Sequence, residues 1–178
     1  MSDSPVQVAA TAAGGCVVQV VGRATMHHSR AAEELVVQTL GRDPAAAVAI
    51  DLSGCTHLDS TFLGSVVGLY QRFNLRAGGD AATDHGAGAP PRLTVHAPPE
   101  TVKALFGALR LDKIIRADPG PPPAVAGPWV PLDPAPPDPR ELSRHVMACH
   151  RRLAAADTPA RAAFAKIADA MEQELARG

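Results

Sequence analysis

The sequence predicts an α/β fold: a mixed β-sheet of four to five strands with helices packed on it, followed by a C-terminal two-helix hairpin. Three observations point there. Short apolar runs alternate with segments of helical period in the order β-β-α-β-α-β-α, with few residues between them. The run Ala45–Leu52 is continuously apolar, as in a strand buried on both faces. Beyond a proline-dense stretch, two more segments carry one-sided apolar spacing.

The elements follow in order. Gly14-Gly15 separates Val6–Ala10 from Cys16–Val21, which reads as a β-hairpin. His27–Leu40 has helical spacing through Ala31, Leu35, Val36, Thr39 and Leu40; Ser29 or the His27-His28 pair is its expected cap, and Gly41 its stop. After the central strand a short polar loop leads to a second helix, Ser60–Leu75. Phe62, Val66, Leu69 and Phe73 form its main apolar stripe, with Leu63, Val67 and Tyr70 beside it. Arg76–Pro91 is rich in Gly, Ala, Pro and Asp without periodicity, and is expected to be a long mobile loop. Arg92–His96 is a short strand. Pro98-Pro99-Glu100 opens a third helix that buries Val102, Leu105, Phe106 and Leu109. Ile114-Ile115 adds a last short strand or packs as a turn.

These elements define an expected domain over residues 1–117. Residues 118–139 form a connector that holds ten of the 17 prolines, so it is neither a regular helix nor a central strand. Trp129, the only tryptophan, is expected to pin it onto the domain. Residues 140–178 form the helical hairpin. Asp138-Pro139-Arg140-Glu141 carries an N-cap acid, a first-turn proline and a third-position Glu. Leu142, Val146, Cys149 and Leu153 share one face; after Asp157-Thr158-Pro159 a second helix follows, with Phe164, Ile167, Ala168, Met171 and Leu175 on its apolar side. Both faces must bury against something.

Composition narrows the function. The net charge is -1, which gives nucleic acid and anionic membrane no electrostatic hold. No apolar run approaches the roughly 18–20 residues needed to span a bilayer, and Met1-Ser2-Asp3-Ser4-Pro5 lacks the layout of a signal peptide, so the expected location is cytoplasmic. Cys16, Cys55 and Cys149 are odd in number, far apart and outside any CxxC spacing. No phosphate-cradling Gly-x-x-x-x-Gly-Lys loop occurs, and no cofactor or metal is expected.

The chemistry concentrates at Asp51-Leu52-Ser53-Gly54 and Leu58-Asp59-Ser60-Thr61-Phe62-Leu63-Gly64. Ser60 opens a helix just past a buried strand, where free N–H groups and the helix dipole tolerate a phosphate. Ser60, Gly64 and Gly68 lie at i, i+4 and i+8 with Ser65 beside them, a smooth strip of small residues. It serves either a partner surface or close packing of the helix on an element of its own domain.

Those motifs resemble the STAS domain of anti-sigma factor antagonists, in which a strand ends in Asp-Leu-Ser and a loop leads to an Asp-Ser-x-x-Leu-Gly helix start. The resemblance extends over roughly residues 6–116, through Ala104-Leu105-Phe106-Gly107-Ala108-Leu109. It implies a STAS-like sheet and a non-enzymatic regulator. Such a protein binds an anti-sigma factor serine kinase, loses that binding when the serine after the motif aspartate is phosphorylated, and regains it through a serine phosphatase. Carried over by position, Ser60 is the phosphoacceptor, with Thr61 a competing hydroxyl. The expected partner surface comprises Thr25, His57, Asp59, Ser60, Thr61, Gly64, Ser65 and Gly68. Two positions depart from the family pattern. The turn Gly22-Arg23-Ala24-Thr25-Met26-His27 lacks the usual acid, and Arg110-Leu111 stands where Gly-Leu is usual. An alternative is a non-phosphorylated scaffold that recruits partners, or a second copy as a homodimer, through the hairpin.

Weaker candidates remain. A Ser60 nucleophile would need a histidine base and an orienting acid; His57 is near in sequence, but no Gly-x-Ser-x-Gly elbow exists. His145, Cys149 and His150 lie within one helix but lack further ligands in sequence, and Cys149 suits the apolar face. Asp51 is expected to accept loop N–H bonds, and Cys16 and Cys55 to pack as small hydrophobes.

Overall fold

The computed structural model describes residues 4–74, 91–133 and 136–177. The expected loop over Arg76–Pro91 lies almost wholly outside them.

The sheet forms around the apolar runs. β1 (Val6–Ala10) and β2 (Gly15–Ala24) pair antiparallel through the Gly14-Gly15 turn, where both glycines have positive φ. Gly15 admits no side chain: a Cβ there would lie 1.9 Å from the Ala47 carbonyl oxygen. α1 (Met26–Arg42) crosses over to β3 (Ala47–Leu58), which runs parallel to β2. α2 (Ser60–Asn74) crosses to β4 (Leu93–His96), and α3 (Glu100–Ala108) to the two-residue β5 (Ala117–Asp118), both parallel to the strand before. β6 (Val130–Pro131) comes from the connector and pairs antiparallel with β1. The order is β5-β4-β3-β2-β1-β6. Six strands replace the expected four to five because two short edge strands close the sheet. Ile114-Ile115 is not one of them; a 3-10 turn at Leu111–Lys113 leads into it, and Ile115 is buried. Proline at the very edge keeps β6 compatible with the rule that confines proline to edges.

Two element boundaries differ from expectation. β3 continues through Ser53–Leu58, where a loop was expected: the polar residues there still pair with Val21–Ala24 across two register shifts. α1 begins at Met26 and passes through Gly41 to Arg42; Ser29 is buried inside it, and its first N–H bonds a distant side chain instead of a local cap. The second helix is described from Ser60 to Asn74, and the expected last residue, Leu75, lies outside the described residues.

Burial is concentrated between the sheet and the helices. Val18, Val20, Val48, Ile50, Leu52, Val36, Phe62, Leu63, Val66, Val67, Val102 and Phe106 form one cluster. Trp129 is half-buried beside β6, where Leu132 donates its N–H to the Val6 carbonyl.

α4 (Pro139–Ala155) and α5 (Arg161–Arg177) form the hairpin. Asp138 accepts from the N–H groups of Arg140 and Glu141, as the cap pattern predicts. α4 lies against α2 and α1; Leu153 and Ala156 join the central cluster, and Phe164 of α5 packs on it.

Candidate functional site

Asp59 sits between β3 and α2 and ties two helix starts together. Its Oδ1 accepts from Phe62 N at 2.8 Å, capping α2, and its Oδ2 accepts from Met26 N at 2.6 Å, the first residue of α1. The next residue is Ser60, half-buried on the first turn of α2. Thr61 is buried at 3% exposure, Ser65 and Gly64 are buried, and Gly68 is half-buried. His57 is exposed on β3, and Thr25 is half-buried at the N-cap position of α1, its Oγ1 3.4 Å from His28 Nδ1. Asp51 accepts from Ser53 N at 2.9 Å and from Gln19 Nε2 at 3.0 Å; loop N–H groups were expected there, but Ser53 lies within β3 and the second donor is a side chain of β2.

α4 covers the small-residue strip. A Cβ on Gly64 would lie 2.5 Å from the Cys149 carbonyl oxygen and 2.8 Å from Cys149 Cβ. One on Gly68 would lie 2.6 Å from Arg152 Cδ. The glycines therefore set the spacing between α2 and α4.

The histidine that meets Ser60 is His150, not His57. Ser60 Oγ is 3.0 Å from His150 Nε2. His150 Nδ1 is 2.9 Å from the Val146 carbonyl, which can only accept, so Nδ1 carries the proton in the neutral ring and Nε2 accepts from the Ser60 hydroxyl. The pairing resembles nucleophile and base, but a carbonyl and not a carboxylate orients the ring, and the imidazole is only 5% exposed. The sequence carried a signal for it. His150 falls within the apolar stripe of Val146, Cys149 and Leu153, and a polar ring on such a stripe needs a partner.

A second polar cluster lies one turn further along. Arg152 grips Glu33 with both arms of its guanidinium, each at 2.7 Å. Ser29 Oγ donates to the Met26 carbonyl, so it accepts from His145 Nε2 at 2.8 Å. Ser65 Oγ is 3.3 Å from Cys149 Sγ and 3.4 Å from His145 Nε2. Burial pushes the Glu33 carboxyl up, but the Arg152 guanidinium more than reverses this and holds it below its ordinary value. Burial lowers His145 and pushes the Cys149 thiol up to about 11. Glu33, His145 and Cys149 have ligand-type atoms within 4.8 Å of one another. Their chemistry does not suit a cation: the carboxylate is already neutralised by Arg152, whose Nη1 is also 3.9 Å from Cys149 Sγ, and the thiol is held protonated.

No protein-family model matches the chain, and no curated protein matches it. Among solved structures, it is similar to that of the anti-sigma factor antagonist SpoIIAA in its unphosphorylated form, with a TM-score of 0.43 and 15% identity, covering 57% of this chain and 81% of that one. Among the described residues, no helix is long and apolar enough to cross a membrane.

Proposed function

We propose that this chain is an anti-sigma factor antagonist of the STAS type, without enzymatic activity, that binds a protein-kinase anti-sigma factor and is switched off by phosphorylation at Ser60. One observation carries the reading: the family-like Asp59-Ser60 pair stands at the first turn of α2, with Asp59 bonded inward as a cap and the half-buried Ser60 hydroxyl turned to His150 of α4. A phosphoserine there lies at the positive end of the helix dipole, worth about 0.3–1 kcal/mol, so the α/β part survives modification. Thr61, at 3% exposure, is the poorer acceptor. Incubation with a protein-kinase anti-sigma factor and labelled ATP tests the reading. Label is expected on the wild type and absent from Ser60→Ala; label persisting on Ser60→Ala, or absent from the wild type, rejects it.

A second reading, a scaffold or homodimer built through the hairpin, draws on α5. That helix packs mainly on α4 and leaves Ile167 42% exposed. Light scattering on the full chain and on Ile167→Glu decides: a dimer that becomes a monomer supports it.

A further inference from the structure

The surface around Ser60 already has an occupant. α4 lies along the groove between α1 and α2, and each contact there depends on close fit. Gly64 brings the α4 backbone within the reach of a single methyl group. Ser60 donates to His150, Ser29 accepts from His145, and Glu33 holds Arg152 in a two-point grip. The contact also has an apolar part: Val146, Cys149 and Leu153 of α4 are buried, and Leu153 joins the central cluster with Ala156 just past the helix end. Among the described residues the hairpin gives the sheet no strand: the last strand in chain order ends at Pro131, before the hairpin begins. Pro136-Pro137-Asp138-Pro139 then leads into α4.

We propose that this groove is a helix-docking site whose resident occupant is α4 of the same chain, and that docking of α4 and a phosphoryl group on Ser60 exclude each other. The proposal rests on the reading of Ser60 as phosphoacceptor only for the identity of the evicting group. Phosphoryl transfer bonds the Ser60 oxygen to the γ-phosphorus of ATP, releases ADP and passes the hydroxyl proton to a base of the kinase. With α4 docked, the buried His150 ring covers that oxygen, so undocking comes first. Once attached, the phosphoryl group brings three oxygens and about -1.5 to -2 charges into the volume that the imidazole fills. Lifting α4 at His150 to make room would also part Cys149 from Gly64 beside it. Of the charged groups nearby, Asp59 repels the phosphate and Arg152 is committed to Glu33; a protonated His150 would attract it, but from a ring that has left its present position. Phosphorylation thus holds the hairpin out, and a partner of the groove must displace it.

Cysteine alkylation of the full chain with iodoacetamide, resolved by peptide mass spectrometry, tests this. Cys149, on the face of α4 turned to α2, is 0% exposed, while Cys16 and Cys55, at 6% and 2%, report on the α/β part. In Ser60→Glu, Cys149 is expected to react at least tenfold faster than in the wild type, with Cys16 and Cys55 unchanged; in Ser60→Ala all three stay protected. Continued protection of Cys149 in Ser60→Glu overturns the proposal, as does opening of all three cysteines in step. Ser60→Asp is judged by the same criterion, and failure of both acidic variants to fold also counts against it, since the α/β part must stand with the hairpin released. No kinase enters these readouts. Release of the hairpin in a chain that no kinase labels removes the proposed function alone; labelling of the wild type with Cys149 protected in Ser60→Glu removes this inference alone.

Discussion

Replacing Gly64 by alanine isolates the α2–α4 contact. The added Cβ would lie 2.5, 2.8 and 2.9 Å from the Cys149 carbonyl oxygen, Cβ and carbonyl carbon. Favourable heavy-atom contact needs about 3.5–4.0 Å, so the backbone of α4 must retreat by most of an ångström. Overpacking of this kind costs about 1–3 kcal/mol. Alanine also improves α2 as a helix by up to about 1 kcal/mol, a gain shared by the docked and undocked states. Global stability by urea denaturation should therefore fall by about 0–3 kcal/mol. The docking equilibrium takes the whole penalty, and Cys149 alkylation should rise about 5- to 150-fold, at 1.4 kcal/mol per factor of ten. Gly41→Ala and Gly107→Ala are the controls: both glycines are helical, and a Cβ at either meets nothing within 4 Å. Each should stabilise by up to about 1 kcal/mol and leave Cys149 protected. A Gly64→Ala protein that gains stability like Gly41→Ala, with Cys149 unreactive, would refute the placement of α4.

Other outcomes follow from the same geometry. Acid should loosen the hairpin in two stages. His145, lowered in the fold mainly by burial, favours the native state above its ordinary value of 6.5, and that contribution is lost as pH falls below it; Glu33, held low by Arg152 against burial, loses its contribution as pH falls below its ordinary 4.5. Hydrogen exchange in α4 read from pH 7.5 to 4 should accelerate accordingly, and an unchanged profile contradicts it. Arg110 has φ +56° where the STAS pattern has glycine, so Arg110→Gly should raise stability by about 0.5–1 kcal/mol in urea denaturation. Asp59→Ala removes the acceptor for both Phe62 N and Met26 N and should cost about 2 kcal/mol or more, whereas Asp59→Asn keeps one acceptor and should cost about half that.

Periodicity made the large elements legible. The apolar stripe of Phe62, Val66 and Leu69 defines α2, and Asp138 with Glu141 marks the start of α4, because both signals lie within the segment they describe. What escaped depends on residues distant in the chain. The start of α1 takes its acceptor from Asp59, 33 positions on, so no local cap pattern announces it. Ser53–His57 is polar yet extended because β2 pairs with it through two register shifts, which a single strand cannot reveal. Val130-Pro131 becomes a strand only because β1 leaves an open edge.

The strip Ser60-Gly64-Gly68 shows where sequence reading ends and why. Small residues at helical spacing permit a close neighbour but do not say which chain supplies it, since the steric condition is the same in either case. Here the neighbour is α4, and the two glycines do different work. Gly64 meets the α4 backbone, which can give way only by shifting the helix, whereas Gly68 meets the Arg152 side chain, which could swing aside were it not held by Glu33. A partner helix that takes over the groove must therefore supply a small or backbone contact at Gly64. It must also supply a cation for Glu33 near Gly68, or leave a half-buried carboxylate unpaired at a cost of several kcal/mol. Those requirements are what α4 already meets, so the hairpin sets the standard that any competitor for Ser60 has to match.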